Sequence, residues 1–126
     1  MQLDDKVPEY WYFLASQDEE SAEILRREKG PLGVCAYHYH QAAEKKLKGA
    51  ILAARSAFPY IHDLRRLYGI LRVARPDLPD LADPIEELQS AYTDLRYPRE
   101  EVLDIAAMER VRSAYLEIAA ALKPQS

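Results

Sequence analysis

One cysteine, four glycines and two phenylalanines are all that the 126 residues hold of those types. The single Cys35 excludes an intramolecular disulfide and any zinc site built from several cysteines, and it suits a reducing cytoplasm. The glycines, at 30, 33, 49 and 69, never fall into the spacing of a phosphate-cradling loop. No HExxH occurs. No apolar run approaches the ~20 residues a membrane span needs. The opening MQLDDKVPEY is acidic and lacks the apolar core of a signal peptide. Positive charge is not in excess either. A formal net charge of −4 argues against non-specific binding of nucleic acid by the whole surface, while leaving room for a local basic site. These absences lead us to expect one cytoplasmic domain over residues 1–126, with loose ends at 1–7 and 123–126 and with no cofactor.

What is present reads as helix. The stretch CAYHYHQAAEKKLKGAILAAR, from Cys35 to Arg55, is rich in Ala, Leu, Lys, Glu and Gln and has no Pro. Cys35, Tyr39, Ala42, Ala43, Leu47, Ala50, Ile51 and Ala54 recur at three- and four-residue spacing. Such a narrow, small-residue stripe lets neighbouring helices approach closely. Glu44, Lys45 and Lys48 lie off it as a charged shoulder, and Glu44 to Lys48 is a favourable i,i+4 pair.

Four more helices surround this one. Pro8 suits a first turn that Asp4 or Asp5 could cap, and Trp11, Leu14, Ala15, Ala22 and Leu25 form an apolar face to about Glu28. Asp18 falls on that face. It is either an acid at the core edge bonded to Lys, Arg or Tyr, or part of a binding cleft. Gly30 ends the helix and Pro31 cannot continue it. Beyond Phe58-Pro59, the pair His62-Asp63 opens a third helix with Leu64, Leu67, Tyr68 and Leu71 inside and its arginines mostly outside. His62 is read as a residue bonding the helix start, with catalysis as the competing role. Pro76, Pro79 and Pro84 punctuate a connection to a fourth, acidic helix carrying Ile85, Leu88, Ala91, Tyr92 and Leu95. Attraction between it and the basic third helix competes with a merely solvated charge pattern. Pro98 breaks the pattern, and a last helix runs to about Leu122 with Ile105, Met108, Val111 (or Arg112), Tyr115, Ile118 and Leu122 as its seam. The fold class is therefore all-α, an up-and-down bundle of about five helices.

Metal chemistry is poorly served. His38 and His40 point about 200° apart on a helix, and His40 with Glu44 supplies two ligands, short of a site.

Three segments carry a resemblance. HQAAEKKLKGAILA resembles the second helix of HEPN domains, HDLRRL at His62–Leu67 resembles that family's HDL element, and YTDLRYPREEV at Tyr92–Val102 its RYP element. They occur in the family's order across most of the chain. Many HEPN proteins resemble toxins and antiviral ribonucleases with an Arg followed, after four to six residues, by His. Here those positions hold Glu101, Val102 and Leu103 counted from Arg96, and Asp104, Ile105 and Ala106 counted from Arg99. The nuclease pattern is thus broken at its defining residue. The resemblance implies a non-catalytic nucleotide- or nucleic-acid-binding or interaction module, a partner subunit of a small nucleotidyltransferase, with a divergent ribonuclease of toxin–antitoxin type using Arg96 with His62 or Glu101 as the alternative. The expected ligand site joins Arg96, Tyr97 and Tyr92 of the RYP turn to Lys48 and Glu44, with His62 and Asp18 as further candidates. Arg would hold a phosphate and Tyr would stack on a base. A structural role competes here too, with Arg96 reaching back to Asp18 or Glu44. The apolar faces of the central and last helices predict a homodimer.

Overall fold

Helix boundaries follow local chemistry in a computed structural model that describes residues 4–96 and 104–123, and only the backbone of 92–96. Helix α1 (Pro8–Arg27) opens on Pro8, which fixes φ and gives up only an N–H that a helix start leaves unpaired anyway. The aspartate cap is not made. Val7 holds the cap position without a side-chain bond, while Asp4 lies too far upstream and accepts from the Lys6 N–H at 2.8 Å. At the other end the left-handed residue is Lys29 (φ 56°) rather than Gly30, whose N–H donates to the Leu25 carbonyl at 2.7 Å. This is the six-to-one bond of a Schellman turn, which places Gly30 one position later than expected.

Helix α2 (Leu32–Ala53) starts a turn earlier than Cys35 because Pro31 serves as its cap residue. It closes in the same way as α1, with Arg55 left-handed (φ 61°) and the Ser56 N–H on the Ile51 carbonyl at 3.1 Å. Asp63, rather than His62, starts α3 (Leu64–Ala74): its carboxylate accepts from the Arg65 and Arg66 N–H groups at 2.8 and 3.3 Å. Helix α4 (Ala82–Arg96) begins ahead of Pro84, which fits its first turn. Asp104 caps α5 (Ile105–Ala121) by accepting from the Ala107 N–H at 2.7 Å. Among the described residues there are five helices and no strand.

The bundle is organised around α2, which packs against each of the other four helices. Its buried residues therefore spread round nearly the whole circumference, and the stripe Cys35, Tyr39, Ala42, Ala43, Leu47, Ala50 and Ile51 is only one side of them. Small residues bring α1 close: a Cβ on Gly49 would lie 2.6 Å from the Tyr12 ring. Helix α1 runs antiparallel to α5, since Arg26, Glu23 and Glu19 meet Glu109, Arg112 and Tyr115 in that order. Helix α3 is antiparallel to α4. Leu64 meets Gln89, and Arg65 meets Glu86 at 2.6 Å, so the basic and acidic helices do pair. Both partners of that ion pair are exposed, so solvent screens it and it contributes little to stability. The α5 seam is buried from Met108 to Leu122, but Ile105, the first residue of the helix, is 68% exposed.

Two substitutions test this account by thermal melting. Gly49→Ala gains about 1 kcal/mol of helix propensity but drives a methyl into Tyr12 at a cost of about 1–3 kcal/mol, so a lower Tm is expected. Arg55→Gly relieves a left-handed backbone and should raise stability by about 0.5–1 kcal/mol.

Candidate functional site

Three residues of α2 at four-residue spacing, His40, Glu44 and Lys48, lie on one face of the helix and are 1%, 3% and 3% exposed. The charged shoulder expected at Glu44 and Lys48 is thus buried. The reason is coverage from outside α2: Trp11 of α1, the 54–63 connection with Phe58 and His62, and Gln89 of α4 close over this face.

Burying two charges costs several kcal/mol per ion unless they are paired and hydrogen-bonded. The site supplies most of that compensation. Lys48 Nζ donates to Glu44 Oε2 at 3.2 Å and lies 5.1 and 5.5 Å from the ring centroids of Trp11 and Phe58. The two rings meet edge to face at 5.7 Å, so the ammonium sits in an aromatic corner. The same Oε2 also meets His62 Nδ1 at 3.2 Å. Glu44 Oε1, by contrast, has no hydrogen-bond partner among the described residues. His62 is 54% exposed and stands edge-on to Tyr60, which is 90% exposed. The cluster therefore runs from a buried ion pair through a shared carboxylate to an imidazole and a phenol at the surface.

His40 lies beside it. Burial pushes its pKa down to about 4, with the Gln89 hydrogen bond opposing that and nearby His62 adding to it, so the ring is neutral at pH 7. Gln89 also accepts from the Leu64 N–H at 3.0 Å and so joins α4 to the start of α3.

The other candidates fall elsewhere. Asp18 accepts from Lys45 and meets His38 Nδ1 at 2.8 Å, which fastens α1 to α2. This is the core-edge role, and Lys45 sits about 100° round the helix from Glu44, so Asp18 is not joined to the Glu44 cluster. His62 bonds a carboxylate across the bundle instead of its own helix start, which Asp63 already serves. Arg96 is the last residue of α4. Its side chain and that of Tyr92 lie outside the described residues, as do Tyr97 and Pro98 entirely.

Trp11, Phe58, Tyr60 and Gln89 belong to the site without being site candidates in the sequence, and His40, read there only as half of a metal-ligand pair with Glu44, belongs to it too. The four-residue ladder His40, Glu44, Lys48 was the one usable signal. The aromatic and amide partners come from three other segments and leave no local pattern. Among the described residues no group of three His, Cys, Asp or Glu could hold a metal ion. What the arrangement offers chemically is a buried hydrogen-bond acceptor, a fixed cation, and an oriented imidazole at the surface.

A model of the HEPN domain family matches residues 8–123 of the chain. Searches of curated proteins and of solved structures return no match.

Two measurements follow from this geometry. Between about pH 6.5 and 4 the unfolded chain protonates His40 while the folded one does not. Stability should therefore be complete above that window and fall as pH drops through it, by about 3 kcal/mol in all. His40→Gln should flatten this part of a pH series of denaturant melts. For the ion pair, Glu44→Ala strands Lys48 and should cost about 3–5 kcal/mol, whereas the double variant Glu44→Leu/Lys48→Met should melt near or above the wild type.

Proposed function

The chain belongs to the HEPN domain family, and on that premise we propose that it is a non-catalytic nucleotide- or nucleic-acid-binding module. In this reading it serves as the partner subunit of a small nucleotidyltransferase-like protein in the cytoplasm. The observation that carries the reading is the Glu44–Lys48–His62 cluster. A fully apolar face would be at least as stable there, yet the bundle keeps a buried ion pair and one carboxylate oxygen without a partner among the described residues. Such a group suits a donor from a ligand, and Lys48 suits the charge of a phosphate. Arg96, Tyr97 and Tyr92 are proposed as the other side of the same site, gripping the phosphate and stacking on a base.

Self-association accompanies this reading. Val34 and Tyr37 of α2, Ile24 of α1 and Leu116 of α5 are large apolar side chains left 40% or more exposed, which favours a second copy of the chain as cover. No helix among the described residues is long and apolar enough to cross a membrane.

The alternative ribonuclease reading has one observation on its side. An exposed imidazole whose Nδ1 is oriented by a carboxylate is equipped for proton transfer. Against it, the motif histidine is absent after Arg96 and Arg99.

Titration with labelled nucleotides and short RNAs tests the proposal. Arg96→Ala should weaken binding by about 1–3 kcal/mol and leave Tm nearly unchanged. The Glu44→Leu/Lys48→Met double variant should fold and fail to bind. A destabilised Arg96→Ala with unaltered binding would end the site proposal. RNA cleaved by the wild type and spared by His62→Gln would establish the alternative. Light scattering at micromolar concentration is expected to give a dimer.

A further inference from the structure

A second cleft lies away from the Glu44 cluster, where the C-terminal end of α1 meets the first turns of α2 and α5. It encloses about 550 Å³, within the range of small-molecule sites. Its floor is Cys35 and Met108. The thiol, 1% exposed, donates to the Ala22 carbonyl at 3.3 Å and lies 3.6 Å from the Met108 sulfur, so the floor is soft and apolar. Leu25, Leu32 and Ile105 form the sides. Ile105 occupies a seam position on α5, but here it stands 68% exposed at the rim of a cavity instead of filling a core.

The rim carries charge. Arg26 and Glu109 form a two-point ion pair, with Nε to Oε1 at 2.7 Å and Nη2 to Oε2 at 3.2 Å, and they neutralise one another. That leaves Lys29, exposed on the cleft's edge and in no ion pair among the described residues. Its position is set by the turn that closes α1, in which Gly30 donates to Leu25. Among the described lining residues the rim is therefore net positive by one charge, on a chain whose total is −4. An apolar pocket with one cation at its mouth unpaired among the described residues suits an apolar body carrying an anionic group.

We propose that this cleft binds a small monoanion with an apolar body, the body resting on Leu25, Leu32 and Met108 and the anionic group facing Lys29. The site does not depend on the nucleotide-binding reading, because it shares no residue with the Glu44 cluster.

Anilinonaphthalene sulfonate, an aromatic monoanion of suitable size, is the probe. It should bind the native full-length chain saturably at one site per chain, with a blue-shifted emission. Lys29→Glu should weaken this binding roughly tenfold, since reversing the charge removes the attraction and adds repulsion. Leu32→Trp should abolish it by filling the pocket. Should Leu32→Trp fail to fold, Ile105→Trp closes the rim from an exposed position and should weaken binding comparably with an unchanged Tm. The single cysteine gives an independent readout: bound probe should slow the reaction of Cys35 with methyl methanethiosulfonate. Non-saturable fluorescence, equal affinity in Lys29→Glu, undiminished binding in the filled variants, or unprotected Cys35 would each overturn the proposal.

Discussion

The Lys48–Glu44 ion pair is the constraint on which the rest of the bundle is built. Two charges on a helix that touches all four others cannot be left to water, so their neighbours must supply what water would have supplied. That requirement explains otherwise unrelated features. Trp11 and Phe58 turn their rings toward the ammonium, and His62 crosses from the α2–α3 connection to share the carboxylate. The connection is in turn held against the bundle rather than looping freely. The arrangement thus involves α1, α2 and the segment before α3.

Elsewhere the same helix is packed by very different means. Against α1 it presents Gly49, where an added Cβ would lie 2.6 Å from the Tyr12 ring. Against α5 it presents Tyr39, whose ring lies 5.6 Å from that of Tyr115. The hydroxyls of these two tyrosines donate to Glu23 and Glu19 of α1, and Arg112 adds a second bond to Glu23 at 2.9 Å. Burial and then the glutamate hydrogen bonds push both phenols upward, so they remain donors across the ordinary pH range. Burial works to raise the Glu23 carboxyl, but Arg112 and Tyr39 outweigh it and hold the group below the usual carboxylate range. Polar side chains thus bridge α1 and α5 across α2. The result is a bundle with a tight seam on one side and a hydrogen-bonded seam on the other.

This division gives the three histidines distinct surroundings although all lie on or near α2. His38 is taken up by Asp18, and His40 is sealed in as a neutral ring between α2 and α4. Only His62 combines an exposed ring with an oriented nitrogen. Two open features among the described residues, the Tyr60–His62 surface and the cleft above Cys35, are built on different residues and present different chemistry. One offers rings above a buried cation and a carboxylate. The other offers an apolar hollow with a lysine at its edge.

The amino-acid sequence by itself determined the number of helices, their order and most of their limits. Those signals are local: Pro8 at a first turn, Pro31 after a stop, and a three-to-four-residue apolar period in between, whereas Asp63 and Asp104 emerged as caps only from the structure. The buried sets of α3 and most of α5 could be read the same way, because each of these helices has one covered face. Whether Glu44 and Lys48 face water was decided only by tertiary structure. Their spacing on α2 is identical in a solvated i,i+4 pair and in a buried one. The difference lies in Trp11, Phe58, His62 and Gln89, contributed from segments up to about forty residues away in the chain, and no periodicity within α2 encodes that they converge there.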